Sequence, residues 1–234
     1  MQINGIIFDK DGTLFGYSKT WDTWSLKIIE KLSKGELRLA RELAKAIGFD
    51  LENGKLLPQS IVIAGTSGEV ALQLGRLLPT WQLDALEQFL NQQVIELPLY
   101  EVIPLKEYFE LLRKNRLKVG VMTNDSEENA RLHLGQVKVN PHCDLDFLAG
   151  YDTGYGAKPS AGPLLAFAQV THIEPSKIVM VGDSLHDLIA GRRAGIKTIG
   201  VLTGPANKID LVDHADIVLP DISHIPKFLE QFRF

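Results

Sequence analysis

Gly5-Ile6-Ile7-Phe8-Asp9-Lys10-Asp11-Gly12-Thr13-Leu14 is the stretch on which the reading of this chain turns. Ile6-Ile7-Phe8 is a short apolar run followed by a polar, glycine-containing turn, which predicts a buried strand. Asp9 and Asp11 stand two residues apart, so on an extended backbone their side chains point the same way. Two crowded carboxylates repel, and such a pair usually shares a cation or a proton. Gly12 lets the backbone turn sharply, and Thr13 can satisfy the turn's free amides. Taken alone, the two aspartates read as turn residues and caps, or equally as a nucleophile, Asp9, beside a general acid/base, Asp11. The rest of the chain decides between the two.

Working outward, the chain has room for one or two domains, with 234 residues. Its 45% hydrophobic and 23% charged residues are those of a globular protein with a substantial core. The net charge of −4 and the absence of a long basic run argue against nucleic acid or an anionic membrane as a partner. A single cysteine, Cys143, cannot close an internal disulfide, which fits a reducing compartment. With no signal-like segment and no run of 18 apolar residues, a cytoplasmic location is the expectation. The sequence does not set the oligomeric state.

From 104 onward, helical patterns alternate with short apolar runs at 117–122, 145–149, 177–181, 196–201 and 216–219. That alternation predicts an α/β fold with a parallel, doubly wound sheet. The strand at 4–8 belongs in the same sheet, which makes 19–97 an insertion. Helical spacing is expected at 20–33, at 36–47 with Gly48 as a stop, from Thr66-Ser67-Gly68-Glu69 as a capping box to about Leu78, and at 81–97. The expected division is 1–17 with 99–234 as the core and 18–98 as an all-helical second domain.

Ligands of open parallel sheets sit at the carboxyl ends of the strands. Asp9 and Asp11 follow the first strand; Thr123, Asn124 and Asp125 follow Val119-Gly120-Val121-Met122; Gly182, Asp183, Ser184 and Asp187 follow Lys177–Val181. The loop Gly154–Pro159 carries Lys158. Acids, a hydroxyl and a lysine on one rim suit phosphoryl transfer. Mg²⁺ prefers carboxylate and water oxygens, and Asp9, Asp183 and the backbone carbonyl of Asp11 are its expected ligands. Asp187, one helical turn past Asp183, either meets a metal-bound water, steadies Lys158, or is a first-turn acid favoured by the helix dipole. Lys158 offers a compact charge to phosphoryl oxygens, and Thr123 with nearby amides holds the rest. Asp9 would form an aspartyl-phosphate, while Asp11 protonates the leaving alkoxide and then activates water. Asp125 reads as a helix cap with Glu128, Thr66 and Ser67 as caps that can also touch substrate, Trp21 and Trp24 as core, and His186 as a bystander.

Phe8-Asp9-Lys10-Asp11-Gly12-Thr13, Val121-Met122-Thr123-Asn124, Ala157-Lys158-Pro159 and Gly182-Asp183-Ser184-Leu185-His186-Asp187 resemble, in order and spacing, the four motifs of the haloacid dehalogenase superfamily of phosphohydrolases. The closest subgroup looks like the phosphoglycolate phosphatases. The resemblance implies a Rossmann-like core with strand order 5-4-1-2-3 and a helical cap that closes over the site. It also implies a Mg²⁺-dependent phosphatase acting on a small phosphorylated metabolite, with Asn124 as well as Thr123 toward substrate. The dehalogenase branch lacks the second aspartate of the first motif, so Asp11 argues for phosphate chemistry. Two departures stand out. Leu14-Phe15-Gly16-Tyr17 replaces the common Leu-x-Asp-Ser, and no cation adjoins the turn at 64–69, which leaves the substrate open. A phosphomutase on the same core and a phospho-aspartate receiver domain are the alternatives. The receiver needs neither the insertion nor Asp-x-Asp-Gly-Thr.

Overall fold

The computed structural model describes residues 2–94 and 97–230, and divides the chain into two compact units, Met1–Tyr17 with Tyr100–Phe234, and Ser18–Leu99. The first unit opens on strand β1 (Gly5–Phe8), every residue of which is buried. A strand covered on both faces needs a continuous apolar run rather than an alternating one, and Ile6-Ile7-Phe8 supplies it.

The chain then leaves the sheet for helices α1 (Tyr17–Ser33) and α2 (Leu37–Ile47). Helix α2 ends on Gly48 in the left-handed conformation, φ 71°, where a side chain would be strained. Strands β2 (Phe49–Asp50) and β3 (Lys55–Leu56) form a small antiparallel pair, so this unit is not wholly helical as the periodicity implied. Two-residue strands are too short to leave an alternation in the sequence. Helices α3 (Ser67–Gly75) and α4 (Leu83–Val94) complete the unit. The end expected for the last helix, at 97, runs across 95–96, outside the described residues. Thr66 and Glu69 close the expected capping box at the start of α3. Trp21 and Trp24 are buried and meet edge to face at 5.4 Å, as core residues of their own unit.

Back in the first unit come α5 (Leu105–Lys114), β4 (Lys118–Met122), α6 (Glu127–Gln136), the single turn α7 (Pro141–Asp144) and β5 (Phe147–Ala149). Helix α8 (Gly162–Thr171), β6 (Ile178–Gly182), α9 (Leu185–Arg193), β7 (Lys197–Val201), α10 (Lys208–Val212), β8 (Ile217–Leu219) and α11 (Ile225–Glu230) follow. All neighbours in the six-stranded sheet are parallel, in the order β5-β4-β1-β6-β7-β8. Counted among the sheet's own strands this is 5-4-1-2-3, with one further strand outside the fifth. Among the described residues no helix is long and apolar enough to cross a membrane.

Register and pleat place the chemistry. Phe8 pairs with Val121 on one side and Val181 on the other, so the ends of β1, β4 and β6 lie level. Ile7 packs in one core with Leu164 and Phe167 of α8 and Ala190 of α9. Phe8 points the other way, 6.0 Å ring to ring from Tyr108 and from Phe109 of α5. Alternation along the strand therefore sends Asp9 to the α8/α9 side and Lys10 to the α5/α6 side.

Candidate active site

The turn after β1 is closed by its own backbone. Leu14 N and Phe15 N both donate to Lys10 O, at 2.9 and 3.1 Å, and Gly12 N donates to Phe15 O at 2.7 Å. Gly12 has φ 87°, and a Cβ there would stand 2.4 Å from Asp183 Oδ2. Glycine is thus required both by conformation and by the approach of the β6 end. The Thr203 hydroxyl, on the loop after β7, donates to Gly12 O at 2.5 Å and braces the same turn. Thr13 Oγ1 lies 3.5 Å from Asp183 Oδ1.

Asp9, Asp183 and Asp187 are all buried, and each offers a carboxylate oxygen within 4.8 Å of the others. Lys158, also buried, donates to Asp9 Oδ1 and, at 2.7 Å, to Asp187 Oδ1. Asp187 Oδ2 accepts from the backbone and hydroxyl of Ser184, at 3.0 and 2.6 Å. Asp187 therefore steadies Lys158 and caps α9 at once: two of the readings offered for it hold together. Three carboxylates against one ammonium leave an excess of negative charge. Burial pushes the Asp9 carboxyl up to about 7; Lys158 pulls against this, and Asp187 and Asp11 add to it. Burial likewise raises Asp183, with Asp9 and Asp187 reinforcing the shift. Burial alone would lower Lys158, but Asp187 and Asp9 outweigh it and hold the ammonium above the usual lysine range. Buried oxygen donors with surplus negative charge fit a small hard divalent cation. Asp9 and Asp183 have the carboxylate oxygens for it, since both oxygens of Asp187 are engaged.

Thr123, one residue past β4, is buried; its Oγ1 accepts from Asp125 N at 3.0 Å and, among the described residues, donates to none. Asn124 takes a role that the sequence did not indicate. Its Nδ2 donates to Lys158 O at 3.0 Å and its Oδ1 accepts from Lys158 N at 2.8 Å. The amide thus clamps the backbone that presents the lysine. The Lys158–Pro159 peptide is cis, and Arg193 of α9 donates to Pro159 O at 2.8 Å. Thr66 and Ser67 lie in the other unit, where Thr66 is occupied with Glu69 and the Ser67 hydroxyl donates to Asn91 Oδ1 at 2.6 Å.

The expectation for Asp125 needs correction. The cap of α6 is Ser126, whose side chain accepts from Asn129 N, one position later than the Asp125–Glu128 box. Asp125 is instead buried; its Oδ1 accepts from Ser126 N and Asn129 Nδ2, and its Oδ2 lies 3.2 Å from Lys10 Nζ. Lys10 was missed altogether. It is fully buried, 2.6 Å from Asp11 Oδ2 and 3.0 Å from Nδ1 of His133 on α6. Burial would lower its ammonium, but Asp11 and Asp125 more than offset this. The one available signal was a lysine two residues past an apolar strand, flanked by two acids.

The chain is similar to several known proteins. Over 115 residues the chain is 38% identical to a phosphoglycolate phosphatase of Chromobacterium violaceum, covering 49% of this chain and 50% of that protein. It thus spans about half the length of that curated relative. A pyrophosphatase PpaX of Bacillus mycoides is 24% identical over 202 residues, covering 86% of this chain and 84% of that one. Among solved structures, a putative beta-phosphoglucomutase from Thermotoga maritima superposes with a TM-score of 0.67 at 19% identity, covering 98% and 99% of the two chains. The family model described as haloacid dehalogenase-like hydrolase matches residues 3–195. With the four motifs gathered at the ends of one parallel sheet, the chain belongs to the haloacid dehalogenase-like hydrolases.

Proposed function

We propose that this chain is a Mg²⁺-dependent phosphatase that hydrolyses a small phosphorylated metabolite of the phosphoglycolate kind through an aspartyl-phosphate on Asp9. The observation that carries the reading is the buried set Asp9, Asp183, Asp187 and Lys158, assembled from three chain segments. Asp9 and Asp183, with the backbone carbonyl of Asp11, would hold Mg²⁺, which neutralises phosphoryl charge and so lets an anionic carboxylate approach an anionic ester.

The protein's own groups do the rest. Lys158, fixed through its backbone by Asn124 and through its ammonium by Asp187, sets the Asp9 carboxylate and meets a phosphoryl oxygen. The Thr123 hydroxyl, oriented by the amide of Asp125, donates to a second oxygen. Asp9 attacks phosphorus; the P–O bond to the alcohol breaks, and the leaving alkoxide takes a proton from Asp11. Asp11 then removes a proton from water, whose oxygen displaces Asp9 from phosphorus and releases inorganic phosphate. Lysine and hydroxyl tighten on charge that develops during transfer, where such contacts count most. The unit Ser18–Leu99 serves as the cap that selects the alcohol, and the hydroxyls of Thr66 and Ser67 are committed within it, to Glu69 and Asn91.

Asp9→Asn tests the reading. Turnover of p-nitrophenyl phosphate with Mg²⁺ should fall by at least about 10⁴-fold, with circular dichroism and melting cooperativity retained. Near-parental turnover in that variant would remove Asp9 as the nucleophile. A panel of phosphorylated metabolites, with 2-phosphoglycolate first, should give inorganic phosphate by phosphorus NMR. An isomeric ester in its place would mark a mutase.

A further inference from the structure

The nucleophile's immediate neighbour is a lysine with no exposed surface, and an isolated buried ammonium is costly to desolvate. What offsets that cost are two carboxylates and an imidazole gathered from three places. These are Asp11 on the same turn, Asp125 on the loop after β4, and His133 on α6, 123 residues away. The far side of this cluster is rigidly built. Asp125 is pinned by Ser126 N at 2.8 Å and Asn129 Nδ2 at 2.9 Å, and His133 stands edge-on to Phe15 at 6.4 Å. The near side is Asp11, whose side chain is 13% exposed and sits on a turn. A short side chain on a turn does not hold one direction by itself. A charge-assisted bond of 2.6 Å to a lysine that is itself anchored to a helix gives it one.

We propose that Lys10 is a positioning residue. It ties the Asp11 carboxylate to α6 and the β4 loop, so that the proton donor and acceptor stands at a fixed place beside the Asp9 carboxylate. The inference rests on the assignment of Asp11 as acid and base under Proposed function. It adds a part that none of the four motifs specifies, carried by the residue between the two aspartates. A merely structural ion pair would keep the turn folded. A positioning residue would, in addition, act through Asp11 and through the step in which Asp11 moves a proton.

The experiment is a double-mutant cycle with two aryl esters and Mg²⁺. p-Nitrophenyl phosphate has a leaving group that departs without a proton, and phenyl phosphate has one that needs it. Lys10→Met should lower kcat/KM for phenyl phosphate by about 10²-fold, the lower end of what acid–base catalysis contributes. The initial release of p-nitrophenolate should stay within about threefold of the parent, and its burst should approach one equivalent as the aspartyl-phosphate accumulates for want of a base. In an Asp11→Asn background, Lys10→Met should add less than about threefold, because the two act as one unit. Should Lys10→Met not fold, Asp125→Asn is read in the same way. It removes one of the two charges facing Lys10 and should give a leaving-group split of roughly tenfold in the same direction. Equal loss on both esters, full additivity with Asp11→Asn, or no split in the folded variant would overturn the inference while leaving the phosphatase reading intact. If the parent releases no phosphate, or Asp11→Asn leaves both esters unaffected, the functional reading fails and takes the inference with it.

Discussion

Two buried lysines sit at the same lip of the sheet, each between two aspartates. Lys158 joins Asp9 and Asp187, and Lys10 joins Asp11 and Asp125. Their stoichiometry differs. Asp183 brings a third carboxylate to the first group, so the Lys158 side remains negative and the carboxyls of Asp9 and Asp183 are pushed up. Around Lys10 the contacts are two acids and an imidazole, a formal excess of one negative charge against two around Lys158. The alternation that continues from β1 sends Asp9 and Lys10 to opposite faces. On the proposed reading, the larger excess of charge suits a cation and an anionic substrate, whereas the smaller one suits an anchor.

Lys158→Met is the most direct way to break that contrast. It removes the one ammonium among three buried carboxylates, so both catalysis and folding should suffer. Turnover should drop by about 10²–10³-fold on any leaving group, since the lost contact meets the phosphoryl oxygens and not the departing alcohol. Loss of stability should be about 3–5 kcal/mol in chelator-treated protein, because removing one partner strands the others. Melting curves with and without Mg²⁺, beside the two-ester assay, make the check. If Lys158→Met and Lys10→Met show the same leaving-group pattern, the two lysines do not divide the work in this way.

The unbalanced charge also has a pH signature. The folded-state pKa of Asp9, at about 7, lies above the ordinary carboxyl value of 3.8. Between those values the folded state binds more protons than the unfolded one, so stability falls as pH rises. Metal-free protein should therefore lose stability from pH 4 to 7, by on the order of 4 kcal/mol from Asp9 alone, with Asp183 adding in the same direction. That corresponds to a melting temperature lower by on the order of 10 °C. The carboxyls held below their usual range, Asp50, Glu127, Asp144 and Asp221, act in the opposite sense but at more acid pH. Mg²⁺ at neutral pH should restore the loss by binding the folded state alone. A metal-free melting temperature that rises steadily from pH 4 to 7 would contradict the surplus charge.

The difference between the lysines also marks what the sequence could reveal. The sheet and the positions of Asp9, Thr123, Lys158 and Asp183 were legible because apolar runs and the polar residues that end them are local signals, whereas the strand order followed only from the resemblance. The β2–β3 pair left no local signal, and the cap stands one residue later, at Ser126, because Asp125 divides its carboxylate between the start of α6 and the buried Lys10. Lys10 was hidden for a related reason. A lysine beside two aspartates reads as part of a solvated turn, and its distant partners, Asp125 and His133, meet it only once α6 has packed on the sheet. Asn124 shows the same limit: its side-chain amide is bonded to the Lys158 backbone, a pairing that no local signal marks.

The smallest expected effect tests the same division of labour on two threonines. Thr66 and Thr123 each accept a nearby backbone N–H, from Glu69 at 3.2 Å and from Asp125 at 3.0 Å. The Thr66 hydroxyl also gives its proton to Glu69 Oε2 at 3.2 Å, whereas the Thr123 proton is unspent among the described residues. Thr66→Ala should therefore cost about 1 kcal/mol of stability, the ordinary loss of a helix cap, and lower the melting temperature by about 2–4 °C. KM and kcat should stay within about twofold of the parent for the metabolite that the panel identifies. Thr123→Ala should cost a similar amount of stability, since it also strips a backbone N–H of its partner, but should in addition lower kcat by about 10²-fold. A Thr66→Ala protein that melts like the parent but shows a tenfold higher KM would give the cap-turn hydroxyl a substrate to hold. Spare donors would then no longer separate the residues that do chemistry from those that hold the fold.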